Sequence, residues 1–410
     1  MEPEQTPSFP IPPPPPSSTS STPKKSKRPT TTVLLAVLLL IGLLAGGIIG
    51  YSVTYWDFNN KLSDIQAQVG LYQGTSTAPT IVFGDNASLS SLYEKVKSAV
   101  VVITDLVPSF TIFGQQVYTI QQGSGFVTSV NDQQVLVTNN HVVNGAINVT
   151  VTFADGNSYP ATVLGQDAKA DLAVLSATTI PASATPLSLV DSKTLAVGDP
   201  VVAVGSPYGL SGTLTTGVIS ALGRTITEES SSDQNGQDIP NMIQTSTAIN
   251  VGNSGGPLLN YAGEVVGITT AGISNSQGLG FAIPSSTILR ELSSLVTTGS
   301  YDQHPSLGAI GVDMSYQIAQ AMNAPVTYGW LVESVQTQNG LQGGNTQRQV
   351  LSQTVILGGD IIIGVGNVRI ANIDDLLSYL EEHTLPGQTV NFTVIRDGQT
   401  QTVSVTIGKA

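Results

Sequence analysis

The chain of 410 residues contains no cysteine. Disulfide bridges, thiolate metal sites and cysteine nucleophiles are excluded together. Histidine occurs only three times, as His141, His304 and His383, which argues against a histidine-rich metal centre. Charge is scarce too. Charged residues make up 10% of the chain, against roughly 25% in an average globular protein, so Ser, Thr, Asn and Gln do much of the solubilising. Beyond Trp56 there are 11 basic and 26 acidic side chains. Such a surface repels phosphate backbones and argues against nucleic acid as a partner. It also sheds charge where carboxylates neutralise, which suggests an acidic habitat.

The first 32 residues are rich in Pro, Ser and Thr and include the run from Pro12 to Pro16. That composition cannot build a core and reads as a disordered, partly polyproline tail on the cytoplasmic side. Val33 to Val53 follows as 21 residues without a charge, long enough to cross a bilayer as a helix. Tyr51, Tyr55 and Trp56 suit an aromatic interfacial belt, and the basic cluster Lys24, Lys25, Lys27 and Arg28 places the N-terminus in the cytoplasm. The expectation is a single-pass anchor over residues 33–56 with the bulk of the chain outside the cytoplasm. A cleaved signal peptide is the rival reading. Residues 57–86 read as stalk and linker, with Leu62, Ile65, Val69 and Tyr72 at helical spacing.

From Ser88 to Lys97 the spacing of Leu89, Leu92 and Val96 predicts a helix. After Ala99 the texture changes to short β-branched runs separated by Gly, Asn, Asp and Pro, among them Val135–Thr138, Leu172–Leu175, Val201–Val204 and Val265–Ile268. Many short strands at this spacing predict an all-β barrel or sandwich. Ile288 to Leu295 reads as a closing helix.

Three segments carry chemistry. Leu136-Val-Thr-Asn-Asn-His141-Val-Val143 puts a histidine just past a strand. Lys169-Ala-Asp171-Leu-Ala-Val-Leu175 puts an aspartate at the start of another, with Asp167 nearby. Gly252-Asn-Ser254-Gly-Gly-Pro-Leu258 is a glycine-flanked serine loop that runs into an apolar strand. A serine hydroxyl needs a base to take its proton, and imidazole suits that task near neutrality. The imidazole needs a carboxylate to fix its tautomer. The order His, Asp, Ser suits an assembly of two barrels, with base and carboxylate from the first and nucleophile from the second. Backbone N–H groups of Gly252 and Ser254 are the expected oxyanion donors, because only a tight turn without side chains can aim them there. No metal or organic cofactor is required.

These segments resemble those of the HtrA/Deg family of trypsin-fold serine proteases with PDZ domains. The resemblance extends past the triad. Ser90-Ser-Leu-Tyr-Glu-Lys-Val-Lys-Ser-Ala-Val100 resembles the family's opening helix and first strand. Gly205-Ser-Pro-Tyr-Gly-Leu210 with Thr216-Gly-Val-Ile-Ser-Ala-Leu-Gly-Arg224 resembles the start of its second barrel, and Gln244-Thr-Ser-Thr-Ala-Ile-Asn250 leads into the serine loop in the same way. The resemblance implies a mainly β fold: a chymotrypsin-like double β-barrel over residues 87–298, a linker at 299–305, and an α/β PDZ domain at 306–410, behind the N-terminal transmembrane helix. It implies catalytic roles for His141, Asp171 and Ser254.

It also implies that Gly278-Leu279-Gly280-Phe281, continuing as Ala-Ile-Pro284, lines the primary specificity pocket, with Ile249 as a second pocket residue. Such a pocket is apolar and suits small or medium aliphatic side chains. Asn253 stands where digestive relatives carry an aspartate that pairs with a newly cut N-terminus, so activation by that cleavage is not expected.

In the C-terminal part, Ser306-Leu-Gly-Ala-Ile-Gly-Val312 resembles the carboxylate-binding loop and following strand of a PDZ domain. Backbone N–H groups of Leu307, Gly308 and Ala309 are then expected to cap a peptide C-terminus. One departure is the long Gln/Asn/Gly/Thr-rich stretch from Gln336 to Leu357, which is expected to reshape or partly cover the groove. Ile373 to Glu382 is the expected PDZ helix. The expected activity is a membrane-anchored serine endopeptidase acting on unfolded or exposed polypeptide segments of misfolded or signalling proteins. The family implies a homo-oligomer, a trimer or a multiple of one. The rival function is a non-proteolytic PDZ scaffold with an idle barrel.

Overall fold

A computed structural model describes residues 89–410 apart from 111–114, 207–211, 229–236, 251, 271–277 and 338. The expected tail, the 33–56 anchor and the 57–86 stalk lie outside the described residues. Among the described residues no helix is long and apolar enough to cross a membrane.

The β-branched runs close into two six-stranded barrels. The first contains β1 (Val100–Phe110), β2 (Gln116–Val130), β3 (Gln133–Asn139), β4 (Asn148–Thr152), β5 (Ser158–Asp167) and β6 (Leu172–Ala177), in the order β1-β2-β3-β6-β5-β4. The second contains β7 (Pro200–Gly205), β8 (Thr213–Glu228), β9 (Gln237–Thr245), β10 (Pro257–Leu259), β11 (Val265–Thr270) and β12 (Gly280–Pro284), in the order β10-β11-β12-β9-β8-β7. Closure pairs β1 with β4 and β10 with β7, which leaves no edge strand to aggregate. Phe126, Ile103, Leu136 and Leu175 are fully buried in the first barrel, and Ile219, Met242, Ile243 and Leu258 in the second.

Two helices seal these barrels. The predicted opening helix is α1 (Leu89–Val96), which buries Leu92 and Val96 in the first barrel's core. The short helix α2 (Asn140–Val143) follows β3. The closing helix α3 (Ser285–Thr297) starts three residues earlier than its apolar spacing suggested, because Pro284 supplies an extended N-cap and cannot itself break a helical hydrogen bond there. It buries Ile288, Leu292 and Leu295. At Gly165 a β-carbon would overlap the Leu295 carbonyl, so a glycine in the bulge of β5 is what admits the end of α3.

The C-terminal part is a second fold. It opens with β13 (Pro305–Ser306), paired with the last strand β22 (Gly408–Lys409). Its main sheet runs β14 (Ala309–Asp313), β15 (Trp330–Val335), β18 (Ile361–Val365), β20 (Thr389–Arg396) and β21 (Gln399–Thr406), with β19 (Val368–Arg369) beside β18. Helices α4 (Tyr316–Met322) and α5 (Ile373–His383) cover it, and α5 buries Leu376 and Leu380 on Trp330, Val332, Ile362 and Phe392. Asn372 caps α5 by accepting from the Asp375 amide at 3.0 Å, as an Asn before an acidic first turn predicts. The long 336–357 stretch contains a hairpin, β16 (Thr346–Val350) with β17 (Gln353–Leu357). The 299–305 segment is no loose tether, since His304 is buried.

Candidate active site

The histidine turn is built by the end of β3 and the first residue of β6's approach. Asn139 donates its side-chain amide to the Asp171 carbonyl at 3.1 Å, and the Asn140 amide donates to the same oxygen at 3.0 Å. The Asp171 carboxylate then turns back on the histidine. Its Oδ1 accepts from the His141 backbone amide at 2.9 Å, and its Oδ2 lies 2.9 Å from His141 Nδ1. An ionised carboxylate can only accept, so Nδ1 carries the proton and Nε2 is left as the basic nitrogen. Asp171 is 1% exposed while the imidazole is 35% exposed, a shielded carboxylate behind a reachable ring. Asp171 holds the left-handed backbone, φ 52°, in a turn closed by its amide on the Ala168 carbonyl at 3.1 Å.

The serine loop is held from three sides. Ser124 in β2 donates its amide to the Ser254 carbonyl at 2.8 Å and its hydroxyl to the Gly252 carbonyl at 2.6 Å. Thr269 in β11 donates its hydroxyl to the Asn253 carbonyl at 2.7 Å, and its carbonyl accepts from the Gly255 amide at 2.8 Å. At Gly255, φ is 86° and a β-carbon would overlap the Ser124 carbonyl and the Thr138 hydroxyl. Thr138 lies three residues before His141. The glycine therefore lets the Ser254 loop of one barrel press against the strand of the other that delivers the histidine. Thr270 from the second barrel also reaches Asp171 Oδ2, at 3.5 Å. The His141–Asp171 pair and the loop that carries Ser254 thus both lie at the seam of the two barrels.

Sequence reading did not single out Ser124 or Thr269. The signal for Ser124 was present in Gly123-Ser-Gly125, where a β-carbon on Gly123 would strike Val142 and approach the Ser254 carbonyl to 3.2 Å. Two glycines inside a strand mark a close backbone approach.

Of the expected pocket residues, Ile249 and Gly280 are adjacent: a β-carbon on Gly280 would sit 2.6 Å from Ile249 Cγ1. Leu279 is exposed, and the space beside Gly278, at φ 82°, is open. At the PDZ loop Leu307 is buried, Gly308 has φ 61°, and Ala309 opens β14. The long stretch begins by bracing this loop. The Gln336 amide donates to the Gly308 carbonyl at 2.8 Å, and Asn339 donates to the Leu307 carbonyl at 2.5 Å.

Among the described residues, one group has ligand-type atoms close enough for a metal: Asp167, Glu291 and His304, all within 4.8 Å. The Arg290 guanidinium lies 2.5 Å from Glu291, so a fixed organic cation already supplies the positive charge on that side.

Residues 123–268 match the trypsin-like peptidase domain family, and residues 308–407 match the PDZ domain family. The chain is 32% identical over 393 residues to the serine protease Do-like HtrA of Lactobacillus helveticus, covering 87% of this chain and 91% of that one. It is 36% identical over 288 residues to the periplasmic pH-dependent serine endoprotease DegQ of Escherichia coli, covering 70% of this chain and 59% of DegQ. The chain thus spans under two thirds of that relative's length. A solved structure of the HtrA-type protease AlgW with tripeptide superposes with a TM-score of 0.58 at 28% identity, covering 79% of this chain and 98% of that one. With both domains, their order and the His–Asp pair in place, the chain belongs to the HtrA/Deg family of serine proteases with a trypsin-like domain and a PDZ domain.

Proposed function

We propose that this chain is a serine endopeptidase in which Ser254 attacks the scissile carbonyl. His141 Nε2 takes the hydroxyl proton and returns it to the leaving amine, while Asp171 holds the imidazole and stabilises its protonated form. The amides of Gly252 and Ser254 receive the oxyanion. The observation that carries this reading is the two-point grip of one buried carboxylate on His141, beside a serine loop braced against the same strand. The specificity pocket takes an aliphatic side chain against Ile249 and Gly280.

Substrates are unfolded or exposed polypeptide segments, which display the apolar side chains that such a pocket accepts. β14 is an edge strand of its sheet, so a peptide with a free C-terminus adds to it while Leu307, Gly308 and Ala309 cap the carboxylate. The uncharged 33–53 stretch anchors the chain in the cell membrane, with the N-terminus cytoplasmic and the protease outside, and the chain works as a trimer or a multiple of one.

Incubation of the full chain with unfolded casein, wild type beside Ser254→Ala, tests the activity. Cleavage by the wild type alone is expected, and equal cleavage by both would defeat the proposal.

A further inference from the structure

The joint between the barrels and the PDZ domain contains a buried cluster of ionisable groups that the triad chemistry leaves unused. His304, in the linker, points Nε2 at Asp167 Oδ2 on β5 at 2.6 Å and Nδ1 at Glu381 Oε1 on α5 at 3.2 Å. Arg290 on α3 bonds Glu291 at 2.5 Å and Glu381 at 2.9 Å. Tyr301 sets its ring edge-on to the His304 ring, 5.0 Å away, and lies 5.2 Å under the Arg290 guanidinium. Lys169 lines the same small cleft. These are the titratable and charged groups that face His304 from β5, α3, α5, the linker and the Asp171 turn.

Hardly any of this is solvated: the side chains of His304 and Asp167 are each 4% exposed and that of Glu291 is 0% exposed. Buried charge survives only when it is balanced. Burial, reinforced by the charge of Asp167, pushes Glu291 up to about 8, so it is neutral at pH 7. Burial opposes a charged His304, but the hydrogen bonds and charges of Asp167 and Glu381 outweigh it and raise its pKa to about 9. Two carboxylates, Asp167 and Glu381, are then matched by two cations, Arg290 and His304.

Asp167 has a second task. While Oδ2 meets His304, Oδ1 accepts from the Lys169 amide at 2.9 Å. That bond opens the turn which ends with the Asp171 amide on the Ala168 carbonyl and sets Asp171 in its left-handed backbone. A carboxylate gripped at one oxygen by an imidazolium cannot swing its other oxygen away from the turn. Three residues lie between this anchor and the carboxylate that grips His141.

We propose that His304 is a positioning residue for the Asp171 carboxylate: it acts through Asp167, and through Glu381 it ties the setting of the His141–Asp171 pair to the end of α5. Its kinetic consequence rests on the protease reading above. Its structural consequence does not. Loss of the Glu291 proton adds a charge beside Asp167, and loss of the His304 proton removes the cation that holds it. The link therefore fails as the solution turns alkaline.

Histidine-selective NMR on the full chain tests this, with its three histidine signals assigned through His304→Gln and His383→Gln. His304 is expected to stay protonated past neutrality, and the Nδ1 proton signal of His141 to show an inflection in step with the alkaline titration of His304. That inflection should vanish in His304→Gln while circular dichroism is unchanged. A His141 signal indifferent to the His304 titration would overturn the proposal, and the wild-type titration alone decides this if the variant does not fold. In parallel, the rate of fluorophosphonate labelling should drop roughly tenfold or more in His304→Gln, as expected for a displaced catalytic group, and recover in His304→Lys, which restores a cation. Unchanged labelling in a folded His304→Gln would also overturn it. A wild type that takes no label counts against the protease reading, and the NMR coupling still reads the His304 link by itself.

Discussion

Asp171 holds His141 at two points, the backbone amide and Nδ1, each at 2.9 Å. One bond fixes where the residue sits and the other fixes which ring nitrogen carries the proton. Asp171→Asn keeps the shape but presents an amide that favours the wrong tautomer. We expect kcat for peptide cleavage to fall by about 10⁴ with the fold intact, measured by steady-state kinetics beside circular dichroism. A loss of only a few-fold would contradict the assigned role.

Ser124 sits behind the nucleophile loop rather than in it. Its hydroxyl donates to the Gly252 carbonyl and accepts from the Ser206 amide at 2.9 Å. Ser124→Ala leaves both groups buried without that partner, a cost of about 1–3 kcal/mol. The unfolding midpoint in urea should fall accordingly, and kcat should fall with it, because the Gly252 segment loses its brace. Unchanged stability and kcat would contradict the brace.

Gly255 is required by close approach as well as by backbone angle. Any side chain there collides with the Ser124 carbonyl and Thr138. Gly255→Ala should abolish fluorophosphonate labelling, while a C-terminal peptide still binds the PDZ domain by fluorescence anisotropy. Retained labelling would show that the seam is looser than these contacts require.

Stability should be greatest in mildly acidic solution. Glu291 is raised from 4.5 to about 8 and His304 from 6.5 to about 9. Each therefore contributes stability that is complete below its unfolded value and is lost as pH climbs through its folded value. Asp167 is lowered from 3.8: burial works against its charge, but His304 and its other hydrogen-bond partners prevail. Its contribution is present above 3.8 and lost on further acidification. Urea midpoints measured from pH 4 to 9 should decline from roughly 4.5 through Glu291 and more steeply above roughly 6.5, where His304 joins, and His304→Gln should remove the added steepness. A wild-type midpoint that rises steadily to pH 9 would contradict the cluster's part in stability. The direction agrees with the acidic habitat suggested by the sparse, carboxylate-rich surface.

Much of the fold was legible because its signals are local. Strands such as Val201–Val204 and helices such as Ile373–Glu382 announce themselves by period, and Gly252-Asn-Ser254-Gly-Gly by the turn it must make. The His–Asp–Ser order was readable for the same reason. What stayed hidden depends on distant partners. His304 lies in a stretch that reads as a plain linker, and nothing near it in sequence announces Asp167 or Glu381, 137 and 77 residues away. In the hairpin inside 336–357 the first strand is polar up to Val350 and the second turns apolar only over Val355–Leu357, so no sustained alternation marks the pair.

The most direct measurement is the site of covalent modification. After reaction of the full chain with a fluorophosphonate, peptide mass spectrometry should find a single adduct on Ser254. The adduct should be absent from Ser254→Ala and formed far more slowly in His141→Ala. An adduct on another residue, or one that persists in Ser254→Ala, would contradict the assignment of the nucleophile and with it the mechanism.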